Sequence, residues 1–270
     1  CILGDPSLHI WKTVPQEVTI TYPESVPAGY SQAVVMVKNA VNNIPVSGAQ
    51  VCINGGDNYS ITTTDENGRA VVEILQENEA TIQLLVRGGD VVPEEGSFVV
   101  EAHERYVAPF EEAELTDIDG NVNGLMNPNE NGTISFTLKN WGSETSHAVE
   151  ATLSAEDCPY TTVSTTGPVE YGDIAAGTTV SGSDFSFTVS DNVPEEYKIP
   201  FSLQITSGEE TWDYTIFVTV HTPMLRYENT LVDDSESATP NNSLEPGETA
   251  NLLMWSINLG TDISNDVYGI

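Results

Sequence analysis

The sequence has 270 residues, of which 41 are Asp or Glu and only 8 are Lys or Arg, so its formal net charge is −33. Nucleic acids and anionic membranes attract proteins through basic surfaces, and this imbalance argues against either as a partner. No apolar run reaches the roughly 18 residues needed to span a bilayer, so no membrane insertion is predicted. The length allows two β-sandwich domains and part of a third.

The cysteines and histidines form no recognisable catalytic or zinc-binding motif. Cys1, Cys52 and Cys158 are odd in number and far apart, which indicates neither a metal site nor a disulfide framework. Cys52 lies between Val51 and Ile53 in an apolar segment and is predicted to be a core thiol. The histidines are His9, His103, His147 and His221. None forms a recognisable nucleophile motif with a Cys or Ser, so no catalytic residue is predicted.

Short segments with period-two alternation recur along the chain, rich in Val, Ile, Thr and aromatic residues. Clusters of Gly, Pro, Asn and Asp separate them, and helical periodicity is almost absent. This pattern predicts antiparallel strands. The predicted fold class is all-β, with tandem immunoglobulin-like antiparallel β-sandwiches.

The pattern divides the chain into five segments. They are 1–15 (the terminal strand and tail of an upstream domain), 16–102 (a first sandwich), 103–114 (a linker), 115–222 (a second sandwich) and 223–270 (the truncated start of a third). In the first sandwich, Asn67-Gly68 supplies the positive φ angles of a tight turn, which predicts a hairpin across Asp65–Gly68.

Five alternating sets of large apolar residues predict the core of the second sandwich. They are Ile134/Phe136/Leu138, Val149/Ala151/Leu153, Phe185/Phe187/Val189, Ile199/Phe201/Leu203/Ile205 and Trp212/Tyr214/Ile216/Val218/Val220. Each set places its large side chains on one face of a strand, as a half-buried sheet requires.

The opening of the second sandwich returns in the third segment. Asn127–Glu130 matches Glu245–Glu248, and the matched positions are 118 residues apart. Leu115–Asp117 matches Leu231–Asp233, and the loop that follows is two residues longer in the later copy. These matches indicate an internal repeat. The third copy contains too few residues to close a sandwich, so its apolar face is expected to be ragged, or covered by a neighbour or a further segment.

A loop rich in oxygen-bearing side chains follows the first strand of the repeat. Asp117, Asp119, Asn121 and Asn123 alternate along it, and Glu130 comes after it. Ca²⁺ binds several oxygen ligands on such flexible loops, so Ca²⁺ is the candidate ion. An Asx-rich turn, whose side chains cap their own backbone, fits the same residues. A second, weaker set of candidate ligands comprises Asp233, Asp234, Glu236 and Glu248.

The first residues resemble the end of a known catalytic domain. Ile2–Trp11 reads Ile-Leu-Gly-Asp-Pro-Ser-Leu-His-Ile-Trp. It resembles the last strand of gingipain-type cysteine peptidase domains, which commonly ends in an apolar pair, Gly-Asp-Pro, Ser or Thr, then Leu. In that family an immunoglobulin-like domain follows directly, and residues 15–100 are similar to such a domain. The repeated modules resemble the adhesion-type sandwiches of large surface members of the family.

The resemblance implies a secreted bacterial parent, at the cell surface, whose catalytic His and Cys lie upstream of Cys1. No catalytic residue is therefore carried over to this chain. The implied role is a non-catalytic stalk that supports or spaces an upstream peptidase domain in cis, with a cell-surface, matrix or glycan ligand as a further candidate partner. The alternative is a free-standing bacterial surface adhesin or carbohydrate-binding module.

Overall fold

The computed structural model describes residues 14–263 except 89, 121, 156–157 and 238–239. The gingipain-like residues 2–11 lie outside this range. Within the described residues the secondary structure consists of 21 strands without a helix, which confirms the all-β class. The same residues accordingly contain no helix long and apolar enough to cross a membrane.

Eight strands form the first sandwich. They are β1 (Val18–Thr21), β2 (Ser25–Pro27), β3 (Gly29–Asn39), β4 (Gln50–Gly55), β5 (Asn58–Thr63), β6 (Arg69–Gln76), β7 (Ala80–Arg87) and β8 (Glu94–Glu101). One sheet has the strand order β1-β3-β6 and the other the order β2-β8-β7-β4-β5. Only the β2–β8 pair among them is parallel. Side chains from both sheets, such as Val35, Val72, Ile53 and Phe98, share one buried core.

Eleven strands form the second sandwich. They are β9 (Val107–Pro109), β10 (Glu114–Asp117), β11 (Asn131–Ser135), β12 (Thr137–Asn140), β13 (Ser146–Ser154), β14 (Thr161–Val163), β15 (Val169–Ile174), β16 (Thr179–Ser181), β17 (Phe185–Val189), β18 (Lys198–Ser207) and β19 (Glu210–Thr219). The sheets have the orders β10-β11-β17-β14, β16-β12-β9 and β15-β13-β18-β19. Only Phe136 separates β11 from β12, so the chain passes between the first two sheets at this buried residue.

The predicted apolar sets form the core of the second sandwich. Four of the five sets are buried at every position, and in the fifth only Trp212 and Ile216 are half-buried. Period-two alternation therefore identified the inner faces of these strands, because successive side chains of a strand point to opposite sides of the sheet. Tandem immunoglobulin-like sandwiches are the architecture of this chain.

The third copy of the repeat forms an antiparallel hairpin of β20 (Leu225–Asp233) and β21 (Asn251–Asn258). Every residue of β21 is exposed, including Leu252, Met254 and Trp255. The sequence led us to expect a face that is ragged, or covered by a neighbour or a further segment, and within the described residues these apolar side chains are exposed.

Three local expectations differ from the structure. The predicted linker 103–114 contains β9, which pairs with β12 and is buried at all three positions. Cys52 is half-buried instead of lying in the core, because Val51 and Ile53 occupy the inner face of β4 and alternation turns Cys52 outward. The turn at Asp65–Gly68 joins two sheets and is not a hairpin, since β5 pairs with β4 while β6 pairs with β3.

Hydrogen bonds show the internal repeat in three dimensions. The N–H of Gly142 donates to the side chain of Asn140, and the N–H of Gly260 donates to that of Asn258, at 2.9 Å in both copies. The strand pairing differs in one detail. Thr116 pairs with Thr133, and Asp233 pairs with Asn251, which is 118 residues further on, so the counterpart of Asp117 is Asp234 and not the sequence match Asp233.

Phe201 and Ser202 are neighbours on β18, and the first is fully buried while the second is exposed. We expect Phe201→Ala to lower the free energy of unfolding by about 3–5 kcal/mol, because it removes buried apolar surface and leaves a cavity. Ser202→Ala should change it by less than about 0.5 kcal/mol. Urea unfolding of both variants measures this, and equal effects would contradict the assignment of the inner face.

Candidate functional site

The contacts of His147 and Cys158 do not form a nucleophile–base pair. His147 Nδ1 lies 2.8 Å from Asp173 Oδ2 on the exposed surface. The thiol of Cys158 is buried and lies 4.0 Å from the hydroxyl of Tyr197. Neither pair has the nucleophile and base within hydrogen-bond reach that covalent catalysis requires.

His221 contacts a hydroxyl, but the geometry opposes a role as general base. Its Nδ1 lies 2.9 Å from Thr261 Oγ1, which is also 2.5 Å from Glu195 Oε1. Burial alone would raise the pKa of Glu195, but hydrogen bonds from Thr222 and Thr261 outweigh it and lower that pKa. Glu195 accepts a hydrogen bond from the single O–H of Thr261, so the imidazole of His221 donates to Thr261 Oγ1 and does not deprotonate it. The cluster joins the second sandwich to the hairpin.

A second group of polar contacts lies between the two sandwiches. The hydroxyl of Tyr106, only 3% exposed, donates to the carbonyl oxygen of Tyr30 in β3 at 2.6 Å. The Tyr214 hydroxyl on β19 donates in turn to the Tyr106 hydroxyl at 2.9 Å. Burial raises the pKa of the phenols of Tyr30, Tyr106 and Tyr214 above the usual value for tyrosine. Each of these hydroxyls therefore keeps its proton and can donate it in a hydrogen bond.

Gln32 caps the edge of the second sandwich. β19 is the last strand of its sheet, and its outward backbone groups would otherwise be open to pairing. The side-chain oxygen of Gln32 accepts the Thr215 N–H at 2.7 Å, and its amide donates to the Thr215 carbonyl oxygen at 2.9 Å. A side chain of the first sandwich thus takes the place of a neighbouring strand.

A close aromatic contact completes the same interface. Gly29 has a φ of +115°, and a Cβ atom there would lie 2.5 Å from the ring of Trp141, so only glycine permits this approach. Lys139 Nζ lies 3.6 Å from the centroid of that Trp141 ring and 3.8 Å from Glu77 Oε1. The ammonium group therefore interacts with both an aromatic face and a carboxylate across the interface.

An open groove of about 570 Å³ lies beside this interface. Its apolar lining includes Met126, Phe136 and Phe217, and its carboxylates include Glu73 and Glu111. His221 is the histidine in its lining, and its ring is engaged with Thr261. The groove therefore offers an apolar surface but no nucleophile with its base.

The structure separates the predicted metal ligands into two groups. Asp117 and Glu130 are buried where β10 ends and β11 begins. Asp119 is turned outward, where both its oxygens accept hydrogen bonds from Asn131, whose backbone N–H is the main cause of the lowered pKa of Asp119. Asn123 donates to Asp262 at 2.9 Å. Asn121 lies outside the described residues.

In the second predicted set of ligands, the buried residue is Asp234, and its carboxylate is already hydrogen-bonded within the protein. Asp234 accepts the N–H groups of Asn241 and Asn242 at 2.7 and 3.0 Å, and the first of these is the main cause of its lowered pKa. Asp233 accepts the N–H of Ser235 at 3.2 Å. Within the described residues, no three or more His, Cys, Asp or Glu side chains form a group that could hold a metal ion. Any cation site here must therefore include amide, backbone or water oxygens.

Sequence reasoning missed the interface residues. Tyr106 lay in the predicted linker, and Gln32 carried no signal beyond its polar position in an alternating strand. The nearest available signal was Tyr214, a tyrosine within an otherwise apolar core set, since a buried tyrosine requires a partner for its hydroxyl.

No family model matches the sequence, and no curated protein matches it. Among solved structures, the chain is similar to Salmonella alpha-2-macroglobulin reacted with methylamine, with 12% identity and a TM-score of 0.36 over 84% of this chain. It is also similar to the major pilin subunit BcpA of Bacillus cereus, with 13% identity and a TM-score of 0.25 over 88% of this chain and 85% of that one. The chain spans only 18% of the macroglobulin.

A titin structure is a further likeness, with 10% identity and a TM-score of 0.22 over 74% of this chain and 98% of the titin fragment. These identities and scores are low. The function of this chain must therefore be argued from its own geometry.

Tyr106→Phe tests the interface. The change leaves the Tyr30 carbonyl oxygen without its buried donor, so we expect the free energy of unfolding to fall by about 1–3 kcal/mol. Tyr59→Phe is the control, because Tyr59 is 73% exposed and should change stability by less than about 0.5 kcal/mol. Urea unfolding followed separately in the two sandwiches measures both variants. Equal stabilities of the two variants would show that the hydroxyl does not join the sandwiches.

Proposed function

We propose that this chain is a non-catalytic spacer of a secreted or surface-bound bacterial protein, in which two sandwiches keep a fixed relative orientation. The observation that carries the proposal is the interface at Tyr106, Tyr214 and Gln32. Tyr106 and Gln32 form directed hydrogen bonds across the two sandwiches, and such pairing defines one orientation in a way that apolar contact alone does not.

The composition supports an extracellular setting for the spacer. The net charge of −33 keeps such a chain soluble through self-repulsion and disfavours adsorption to anionic surfaces. The described cysteines, Cys52 and Cys158, are free thiols, so the tandem is held by its cores and its interface.

The finer part of the proposal concerns the partner. A gingipain-type cysteine peptidase domain, upstream in cis, is the partner that the spacer would support and hold away from the cell. The support for this part is the sequence resemblance of residues 2–11. The interface between the sandwiches supports the spacer role, and this support does not depend on the resemblance.

A turnover assay tests the absence of catalysis. The purified chain, under reducing conditions, is incubated with fluorescently labelled casein, and Cys52→Ser and Cys158→Ser serve as matched variants. We expect no hydrolysis above the buffer blank for any of the three proteins, because neither described thiol has a base within reach. Turnover by the wild-type chain that one of the two substitutions abolishes would overturn the proposal.

A further inference from the structure

We propose that Asp117 and Glu130 are the carboxylate ligands of a buried Ca²⁺ site where β10 ends and β11 begins. The site goes beyond the spacer function, since a rigid tandem requires no ion. Asp117 is 6% exposed, and within the described part of the chain neither of its carboxylate oxygens has a hydrogen-bond partner. An ionised carboxylate is strongly disfavoured in such surroundings unless an opposite charge or a donor compensates it.

Strand register puts Asp117 and Glu130 on the same side of the β10–β11 pair. Asp117 pairs with Gly132, and Glu130 precedes Gly132 by two residues, so Glu130 and Gly132 share the inner face of β11. Gly132 has no side chain of its own, and the tip of Met126 and the ring of Phe187 lie over it. Glu130 is itself 5% exposed, and its Oε2 accepts the Asn127 N–H at 2.9 Å.

The other copy of the repeat shows what an aspartate needs at this position. Asp234, the counterpart of Asp117, is 2% exposed, and each of its oxygens accepts a backbone N–H from the loop that follows. That loop has one residue more between the aspartate and its capping asparagine, Asn241, than the loop from Asp117 to Asn123. The shorter loop of the second sandwich leaves Asp117 without these two donors. A cation can satisfy the same oxygens.

The chemistry favours Ca²⁺ over other ions. Both carboxylates are hard oxygen ligands, and described residues between them, such as Asn123 and Asn127, add backbone carbonyl and side-chain amide oxygens. Ca²⁺ accepts six to eight such oxygens in irregular geometry, whereas Mg²⁺ requires a near-ideal octahedron and retains several waters. A mixed set of carboxylate, amide and carbonyl oxygens therefore suits Ca²⁺ better.

The site also adjoins the contact with the hairpin. Asn127 donates through its side chain to the His221 carbonyl oxygen at 2.6 Å, and Asn123 of the same loop donates to Asp262. Ordering of this loop by an ion would therefore also order the junction between the second sandwich and the hairpin.

Thermal unfolding of the full chain in Ca²⁺ and in excess EGTA tests the site. Ca²⁺ well above its dissociation constant should raise the Tm of the wild-type chain by about 3–6 °C, because it binds the folded state selectively. Asp117→Asn keeps the side-chain shape but removes the charge. We expect this variant to match or exceed the wild-type Tm in EGTA and to lose the Ca²⁺ shift.

Asp234→Asn is the matched control. Its carboxylate is already satisfied by two N–H groups, so this variant should keep the full Ca²⁺ shift. Isothermal titration calorimetry with CaCl₂ should give one site per chain, and Glu130→Gln should abolish the binding heat even if Asp117→Asn does not fold. MgCl₂ should give at least tenfold weaker binding. A wild-type Tm that Ca²⁺ does not change, or a full shift retained in Asp117→Asn, would overturn the proposal.

Discussion

The orientation of the two sandwiches depends on the buried hydroxyl of Tyr106. Each sandwich has its own core, and apolar contact between them, such as that of Tyr30 with the second core, is not directional. A buried hydroxyl must be paired, and its partners belong to both sandwiches. Sliding of one sandwich over the other would break these bonds and leave the carbonyl oxygen of Tyr30 unpaired. Gln32 adds the same requirement at the edge of β19.

The repeat shows how one backbone pattern can carry different surfaces. Asn140 and Asn258 make the same turn in the two copies. The outward positions Thr137 and Lys139 of the second sandwich correspond to Trp255 and Ile257 in the hairpin. The strand pairing is retained because backbone hydrogen bonds do not depend on side-chain identity, whereas the outward side chains have changed from polar to apolar.

Much of the fold could be predicted from the sequence because strand burial has a period of two. The set Phe185/Phe187/Val189 is buried as alternation requires. Strand partners are harder to predict, because a turn is local while pairing is not. Just before the turn at Asp65–Gly68, the N–H of Thr64 donates a hydrogen bond to the carbonyl oxygen of Ala49. The chain therefore stays beside β4 up to the turn, and β5 and β6 enter different sheets.

The candidate site was predictable in composition but not in geometry. Alternation of Asp and Asn in the loop indicated oxygen ligands, and it placed Asp117 and Asp119 together. In the structure the strand ends between them, so Asp117 stays inside and Asp119 turns outward to Asn131. The match of Asp117 to Asp234 was hidden by a one-residue difference in strand register, which a comparison of sequence letters does not reveal.

The central claim is that the two sandwiches form one rigid body in solution. Residual dipolar couplings of the backbone N–H groups test it most directly, because they report the orientation of each amide in a common frame. Couplings from the first and second sandwiches of the full chain should fit a single alignment tensor with the interface as the structure has it. Two tensors of different magnitude or orientation would show independent motion and contradict the account.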